Sequence, residues 1–314
     1  MTHLFEGHEK KLEIILRKPQ EGLRCNLDQR WNRVVRASGA DILSKISNSC
    51  MDAWLLSESG LFVWENRIRM ITCGRTTLTA SLPEIFRFVD RRNIDFLFYE
   101  RKNMMYPHQQ PYDFKDDAAF LQFYSPGSRY RIGPADSDHI HLFHSCRTRN
   151  LDGRDSTFQL LMSDIDPRLE NIFSAQPVSS GCQTEKTSIL KQLYPDMVTD
   201  SYFFSPFGYS LNAIHNDCYF TVHVTPQPQG SYASFETNIM ETDYSSIGRK
   251  VISFFHPKKF SLILTTNMTP ASLQSRPAAT PLFPGYHIAE KVFCEFGSGF
   301  ATTLVNQVKT PVEH

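Results

Sequence analysis

AWLLSESGLFVW, residues 53–64, sets a polar Ser-Glu-Ser triplet between two short apolar runs. Both runs are rich in aromatic and branched side chains and predict strands. The triplet then reads as a β-turn or a solvent-facing interruption of a hairpin. The same signature continues to Cys73 and recurs in LEIILR (12–17), IDFLFYER (94–101), HIHLFHSC (139–146), TFQLLMSD (157–164), CYFTVHVTP (218–226), SYASFETN (231–238) and KFSLILTT (259–266). Between them, residues 82–93, 116–124, 187–194 and 244–255 carry apolar side chains at three-to-four spacing and predict helices. Strand runs with interposed helices predict an α+β sandwich, with helices on the outer faces of antiparallel sheets. No repeat is obvious by eye, although strand–helix–strand patterns occur in both halves, as a diverged duplication would leave them. The polar stretches 176–188 and 269–284 predict surface excursions.

With 314 residues, 41% of them hydrophobic, the chain can bury one large core or two intimately joined ones. Its 33 basic and 33 acidic side chains balance, so there is no broad electrostatic footprint for nucleic acid or an anionic membrane. The first residues, MTHLFEGHEKKLEIIL, lack a basic segment followed by an apolar one, and no run of about 18 apolar residues occurs; we expect a cytosolic protein. Seven cysteines, at 25, 50, 73, 146, 182, 218 and 294, are odd in number and never form a CxxC pair, which predicts reduced thiols rather than a disulfide framework or zinc ribbon.

His139 and His141 share one face of a strand, near Asp136 and Asp138, a spacing that can hold metal; without a third ligand pattern, a half-buried strand is the simpler reading. Phosphate-loop and nucleophile-elbow motifs are missing. Taken singly, Cys73 reads as a core thiol, His223 as a strand histidine and Ser210 as a turn hydroxyl.

Together and in order, FEGHEKKLEI (5–14), LLSESGLFV (55–63), ITCG (71–74), LLMSDIDP (160–167), FSPFGYSLN (204–212) and TVHVTPQPQGSYASFETN (221–238) resemble the eukaryotic S-adenosylmethionine decarboxylases over nearly the whole chain. The resemblance implies a single domain, residues 1–314, folded as a four-layer αββα sandwich of two antiparallel sheets. It implies self-cleavage between Glu58 and Ser59 into a β chain (1–58) and an α chain (59–314). Ser59 becomes a pyruvoyl group, the electron sink that takes the substrate amine as a Schiff base, without metal or pyridoxal phosphate. Ser210 and His223 are implied in processing and Cys73 as the proton donor, with Glu6 and Glu9 as nearby carboxylates. Phe5 and Phe204 are implied to sandwich adenine. Polyamine synthesis is the implied setting and a homodimer or paralogue heterodimer the implied assembly.

Gln227 stands where the family usually carries a glutamate that grips the ribose hydroxyls, and an amide offers one acceptor oxygen and no charge. Phe207, Arg75 and Gly60 also depart from the family pattern. Glu13, Asp155, Thr157 and Glu236 match the buried acidic cluster of putrescine-activated members, but Gln159 replaces one carboxylate, which weakens the attraction for a diammonium activator. These departures motivate an alternative, a feeble paralogue that regulates an active subunit. The retained Ser59 and His223 favour the enzyme.

Overall fold

The computed structural model describes residues 4–26, 29–147, 155–173, 187–267, 281–296 and 298–311. One eight-stranded sheet contains β1 (Lys10–Leu16), β2 (Ile42–Ser47), β3 (Met51–Leu56), β4 (Ser59–Trp64), β5 (Arg67–Thr72), β6 (Ile94–Lys102), β7 (Ser128–Ile132) and β8 (Ile140–Cys146). The other contains β9 (Ser156–Ser163), β10 (Val198–Phe203), β11 (Tyr209–His215), β12 (Cys218–Thr225), β13 (Tyr232–Thr237), β14 (Lys259–Asn267), β15 (Tyr286–Glu295) and β16 (Phe300–Lys309). The first runs β2-β3-β4-β5-β1-β6-β8-β7 and the second β10-β11-β12-β13-β9-β14-β16-β15. Each number in the second order is the first raised by eight. One topology is built twice, which sequence inspection registered only as recurring strand–helix–strand patterns.

β1 explains the layering. Its side chains alternate between the two faces of the sheet. Leu12, Ile14 and Leu16 pack outward in the cluster that holds Trp31, Val34 and Val35 of the helix Arg30–Ala37. Lys11 and Glu13 point the other way and reach partners between the sheets. On the second sheet, Ile247, Val251, Ile252 and Phe255 of the helix Ser245–Phe255 cover the outer face. Between the sheets, Phe62, Trp64 and Ile71 meet Ile214 and Tyr219, and the Phe62 and Tyr219 ring centroids stand 4.4 Å apart. Helix, sheet, sheet and helix therefore stack as the expected sandwich.

Two local expectations change. Residues 82–93 do not form one helix: an α-helical turn, Leu82–Ile85, gives way to a separate 3-10 turn at Arg91–Asn93, because the Asp90 carboxylate accepts from the Arg92 backbone N–H and starts the chain afresh. Strands β2, β7, β10, β11, β15 and β16 lay outside the apolar runs read as strands, since they mix polar residues into every second or third position. Most of 176–188 and 269–284 lies outside the described residues, as does Cys182; residues 187–191 are helical. The other six cysteines are free thiols.

Candidate active site

The triplet is the tight connection of a hairpin: Leu56 of β3 lies opposite Ser59 of β4, and Ser57 and Glu58 make the turn. Ser59 takes φ 142°, a region that side-chain-bearing residues rarely occupy. Pairing of β4 with β5 sets Ser59 opposite Thr72 and so carries Cys73 to the turn. There the Cys73 backbone N–H donates to the Glu58 carbonyl oxygen at 3.0 Å, and the Cys73 thiol approaches the same oxygen at 3.3 Å. Two donors on one carbonyl polarise the peptide bond between Glu58 and Ser59.

The second sheet supplies the rest. Register pairs Ser210 of β11 with His223 of β12, and Ser210 Oγ lies 2.9 Å from His223 Nδ1. The other ring nitrogen, Nε2, crosses the gap between the sheets to stand 2.7 Å from Ser59 Oγ. Thr221 Oγ1 is 2.8 Å from the same nitrogen and is itself within reach of Asn212 Oδ1, at 2.9 Å, and of the Leu211 carbonyl, at 3.0 Å. Sequence reading passed over Thr221, although its place two residues before His223 puts both on one face of the strand.

Burial sets the proton inventory. It pulls the His223 pKa down to about 3, so the ring is neutral and able to accept a proton near neutral pH. Burial, reinforced by Glu58 and Glu9, pushes the Cys73 thiol well up, which keeps it an acid rather than a thiolate. The Glu58 carboxyl rises to about 7 through burial, opposed by Lys10, and its Oε2 has no hydrogen-bond partner. Lys10, lowered to about 8 by burial, holds the loop after Cys73 through the Gly74 and Thr76 carbonyls.

The remaining expected residues divide into several groups. Glu6 accepts backbone N–H groups from His8 and Tyr106 at 3.0 and 2.8 Å, fastening the segment before β1. Glu9 accepts from Ser234 Oγ and pairs with Lys11 at 3.3 Å. The Phe5 ring covers Gly74, where a side chain would stand 3.2 Å from it; the Phe204 ring packs edge-on against Tyr202, 5.0 Å between centroids. Gln227 engages the Phe5 backbone. Gly60 leaves room for Asn212, whose Oδ1 would lie 3.0 Å from an added Cβ. Arg75, exposed, donates to the Gln109 carbonyl, and Phe207 is exposed.

The acidic cluster holds resident cations. Lys11 Nζ lies 2.9 Å from Glu236 and also contacts Gln159; Arg69 bridges Glu236 and Glu13, both at 2.7 Å; Arg67 bridges Glu13 and Asp155. Thr157 is buried on β9, two residues before Gln159. Lys11, Arg67 and Arg69 were not singled out from sequence. Lys11 was legible, since it alternates with Glu9 and Glu13 along one face of β1.

His139 and His141 do share a face, with their Nε2 atoms 3.3 Å apart, but the Asp138 carboxylate is taken by Lys102 and Lys259. Among the described residues no group of three or more His, Cys, Asp or Glu is arranged to hold a metal ion. No helix among them is long and apolar enough to cross a membrane.

Comparison with known proteins gives a consistent pattern. The family model for adenosylmethionine decarboxylase matches residues 2–306. The S-adenosylmethionine decarboxylase proenzyme of Leishmania donovani is 33% identical, over 98% of this chain and 86% of its own. That of Xenopus laevis is 30% identical, over 94% and 92%. Among solved structures, the Trypanosoma brucei AdoMetDC-delta26 monomer matches with a TM-score of 0.63 at 25% identity, over 80% of this chain and 99% of that one.

Proposed function

The chain belongs to the adenosylmethionine decarboxylase family, and from that premise we propose that it cuts itself between Glu58 and Ser59 and then releases the S-adenosylmethionine carboxylate as carbon dioxide. The observation that carries the reading is the meeting of Ser59, His223, Ser210 and Cys73 around one polarised peptide bond.

Ser59 Oγ attacks the Glu58 carbonyl carbon, and the developing oxyanion falls between the Cys73 N–H and thiol. Collapse breaks the Glu58–Ser59 C–N bond, leaving an ester on Ser59 Oγ and a free Ser59 amine. Neutral His223 then takes the Ser59 Cα proton. The Cβ–O bond breaks, Glu58 leaves as a carboxylate, and water hydrolyses the resulting enamine, through its imine, to release ammonia. Ser210, on Nδ1, orients the ring for this proton abstraction.

The pyruvoyl group left at position 59 supplies an electron sink for decarboxylation. Cys73, kept protonated by burial, returns a proton to the substrate carbon. Phe5 on its loop supports the adenine-side wall. The product, an aminopropyl donor, suits spermidine and spermine synthesis, and a cytosolic location fits an enzyme of a soluble substrate.

The acidic cluster favours independence from putrescine. Lys11, Arg67 and Arg69 already pair with Glu13, Asp155 and Glu236, three cations on three carboxylates, which takes up the charge a dication would seek there. The complete processing constellation leaves the regulatory-paralogue alternative without a specific observation in its favour.

Intact mass of the purified protein beside a Ser59→Ala control tests the reading. Fragments of roughly 7 and 29 kDa, scaled by length from 36.1 kDa, are expected for the parent only. An uncut parent chain would remove the electron sink and overturn it.

A further inference from the structure

Gln227 is nine-tenths buried in the loop after β12, and its amide is fully committed. Its Oε1 accepts the Phe5 backbone N–H at 2.9 Å, while its Nε2 donates to the Phe5 carbonyl at 2.7 Å and to the Gly230 carbonyl at 3.4 Å. One side chain thus reads both polar groups of a single backbone unit 222 positions away, as a neighbouring strand would. The segment so held carries the Phe5 ring onto Gly74 and leads into Glu6, whose carboxylate takes the Tyr106 N–H at 2.8 Å.

Chemistry makes this contact specific to an amide. A carboxylate could still accept from the Phe5 N–H, but its second oxygen would face the Phe5 carbonyl oxygen with no proton between them. Two buried acceptors at that separation repel, and each is left without a donor. The glutamate that the family resemblance places here would therefore release the strap that glutamine holds.

We propose that Gln227 is a positioning residue: it clasps the Phe5 backbone and so fixes the aromatic wall of the substrate pocket beside Cys73 and Gly74, instead of gripping the ribose hydroxyls. The proposal rests on the reading of Phe5 as the adenine-contacting ring.

Its test uses the full self-processed enzyme with Gln227→Glu, Gln227→Ala and Phe5→Ala variants. Amide hydrogen exchange of residues 4–9 without substrate reports the clasp, and KM against kcat for S-adenosylmethionine reports its consequence. At pH 8, Gln227→Glu is expected to exchange faster across the strap and to raise KM about tenfold, with kcat changing less. Toward pH 5 the introduced carboxyl takes up a proton and regains a donor for the Phe5 carbonyl, so exchange and KM return toward the parent, whereas Gln227→Ala stays impaired at both pH values. Glu6, Glu58, Cys73, Lys10 and Tyr106 surround the strap in the parent as well, so the variant-to-parent ratio isolates position 227.

A lowered KM for Gln227→Glu with unchanged exchange would overturn the proposal and restore the ribose grip. Faster exchange with unchanged KM also overturns it. Phe5→Ala then locates the failure: a raised KM in that variant keeps Phe5 as the adenine wall and rejects only the clasp's role, whereas an unchanged KM rejects the reading of Phe5 itself.

Discussion

Ser59 Oγ and His223 Nε2 stand 2.7 Å apart although they belong to different sheets, on β4 and on its counterpart β12 in the second copy of the topology. Their contact therefore reports the packing of the two sheets, and the proposed processing chemistry rests on it.

If His223 takes the Cα proton but is not needed for the first acyl shift, His223→Ala should stop at the ester. Neutral hydroxylamine is then expected to cut that variant after Glu58, while Ser59→Ala stays whole with or without it; intact mass distinguishes them. Mature fragments from His223→Ala without hydroxylamine would remove the base role.

The apolar runs around 53–64 predicted the central hairpin because both faces of those strands are covered, so hydrophobicity and strand agree. β16 was missed for the opposite reason: Thr302, Asn306 and Gln307 are buried yet polar, and each is satisfied by a partner that only the folded sheet supplies. At the site, Ser59, Cys73, Ser210 and His223 were legible through family motifs alone. Their convergence required two sheets that no local pattern relates. The acidic residues of the inter-sheet cluster were legible in the same way, but their neutralisation was not, since Arg67 and Arg69 read as ordinary polar interruptions of an apolar strand.

Thr221 competes with Ser59 for His223 Nε2. Asn212 Nδ2 donates to the Trp54 carbonyl at 3.0 Å, which turns its Oδ1 toward Thr221. Thr221 can then donate its proton to Asn212 or Leu211 and accept from Nε2–H, favouring the tautomer that cannot act as a base there. Thr221→Val is expected to convert ester to mature chain about threefold faster and to lose about 1–3 kcal/mol of stability from the unpartnered Asn212 oxygen. Thr221→Ser should behave as the parent. A slower conversion in the valine variant, followed by time-resolved intact mass, would mean that Thr221 orients the ring instead.

Lys11 is buried among Glu236, Glu9 and Glu100, at 2.9, 3.3 and 3.8 Å. Removing it leaves carboxylates without their cation, so Lys11→Ala should cost about 3–5 kcal/mol in denaturant unfolding. Putrescine should leave the parent's kcat/KM within about twofold, the scatter expected of a ligand without a differential site. In Lys11→Ala it should raise the unfolding midpoint, because a diammonium ion can replace the missing charge. Strong activation of the parent by putrescine would contradict the neutralised cluster.

Glu58 should give the proposed self-cleavage a pH dependence of unusual sign. Burial raises its carboxyl to about 7, against the pull of Lys10, and the orphaned Oε2 lies where a side chain on Gly74 would meet it at 2.6 Å. Below that pH the group is a neutral acid. Above it, a carboxylate on the same residue repels the oxyanion that forms when Ser59 attacks the Glu58 carbonyl, and Lys10, lowered to about 8, begins to lose its compensating charge. His223 is already neutral above about 3, and the Cys73 thiol is held protonated well beyond its ordinary range, so neither group adds a step near pH 7. The rate of self-cleavage, followed in freshly synthesised proenzyme from pH 6 to 9, should therefore fall as pH rises through about 7. Glu58→Gln carries no titrating group and should flatten that step, leaving only the shallower decline due to Lys10. A rate that climbs through pH 7 in the parent would show that deprotonation of Ser59, rather than charge beside the oxyanion, limits the first bond change.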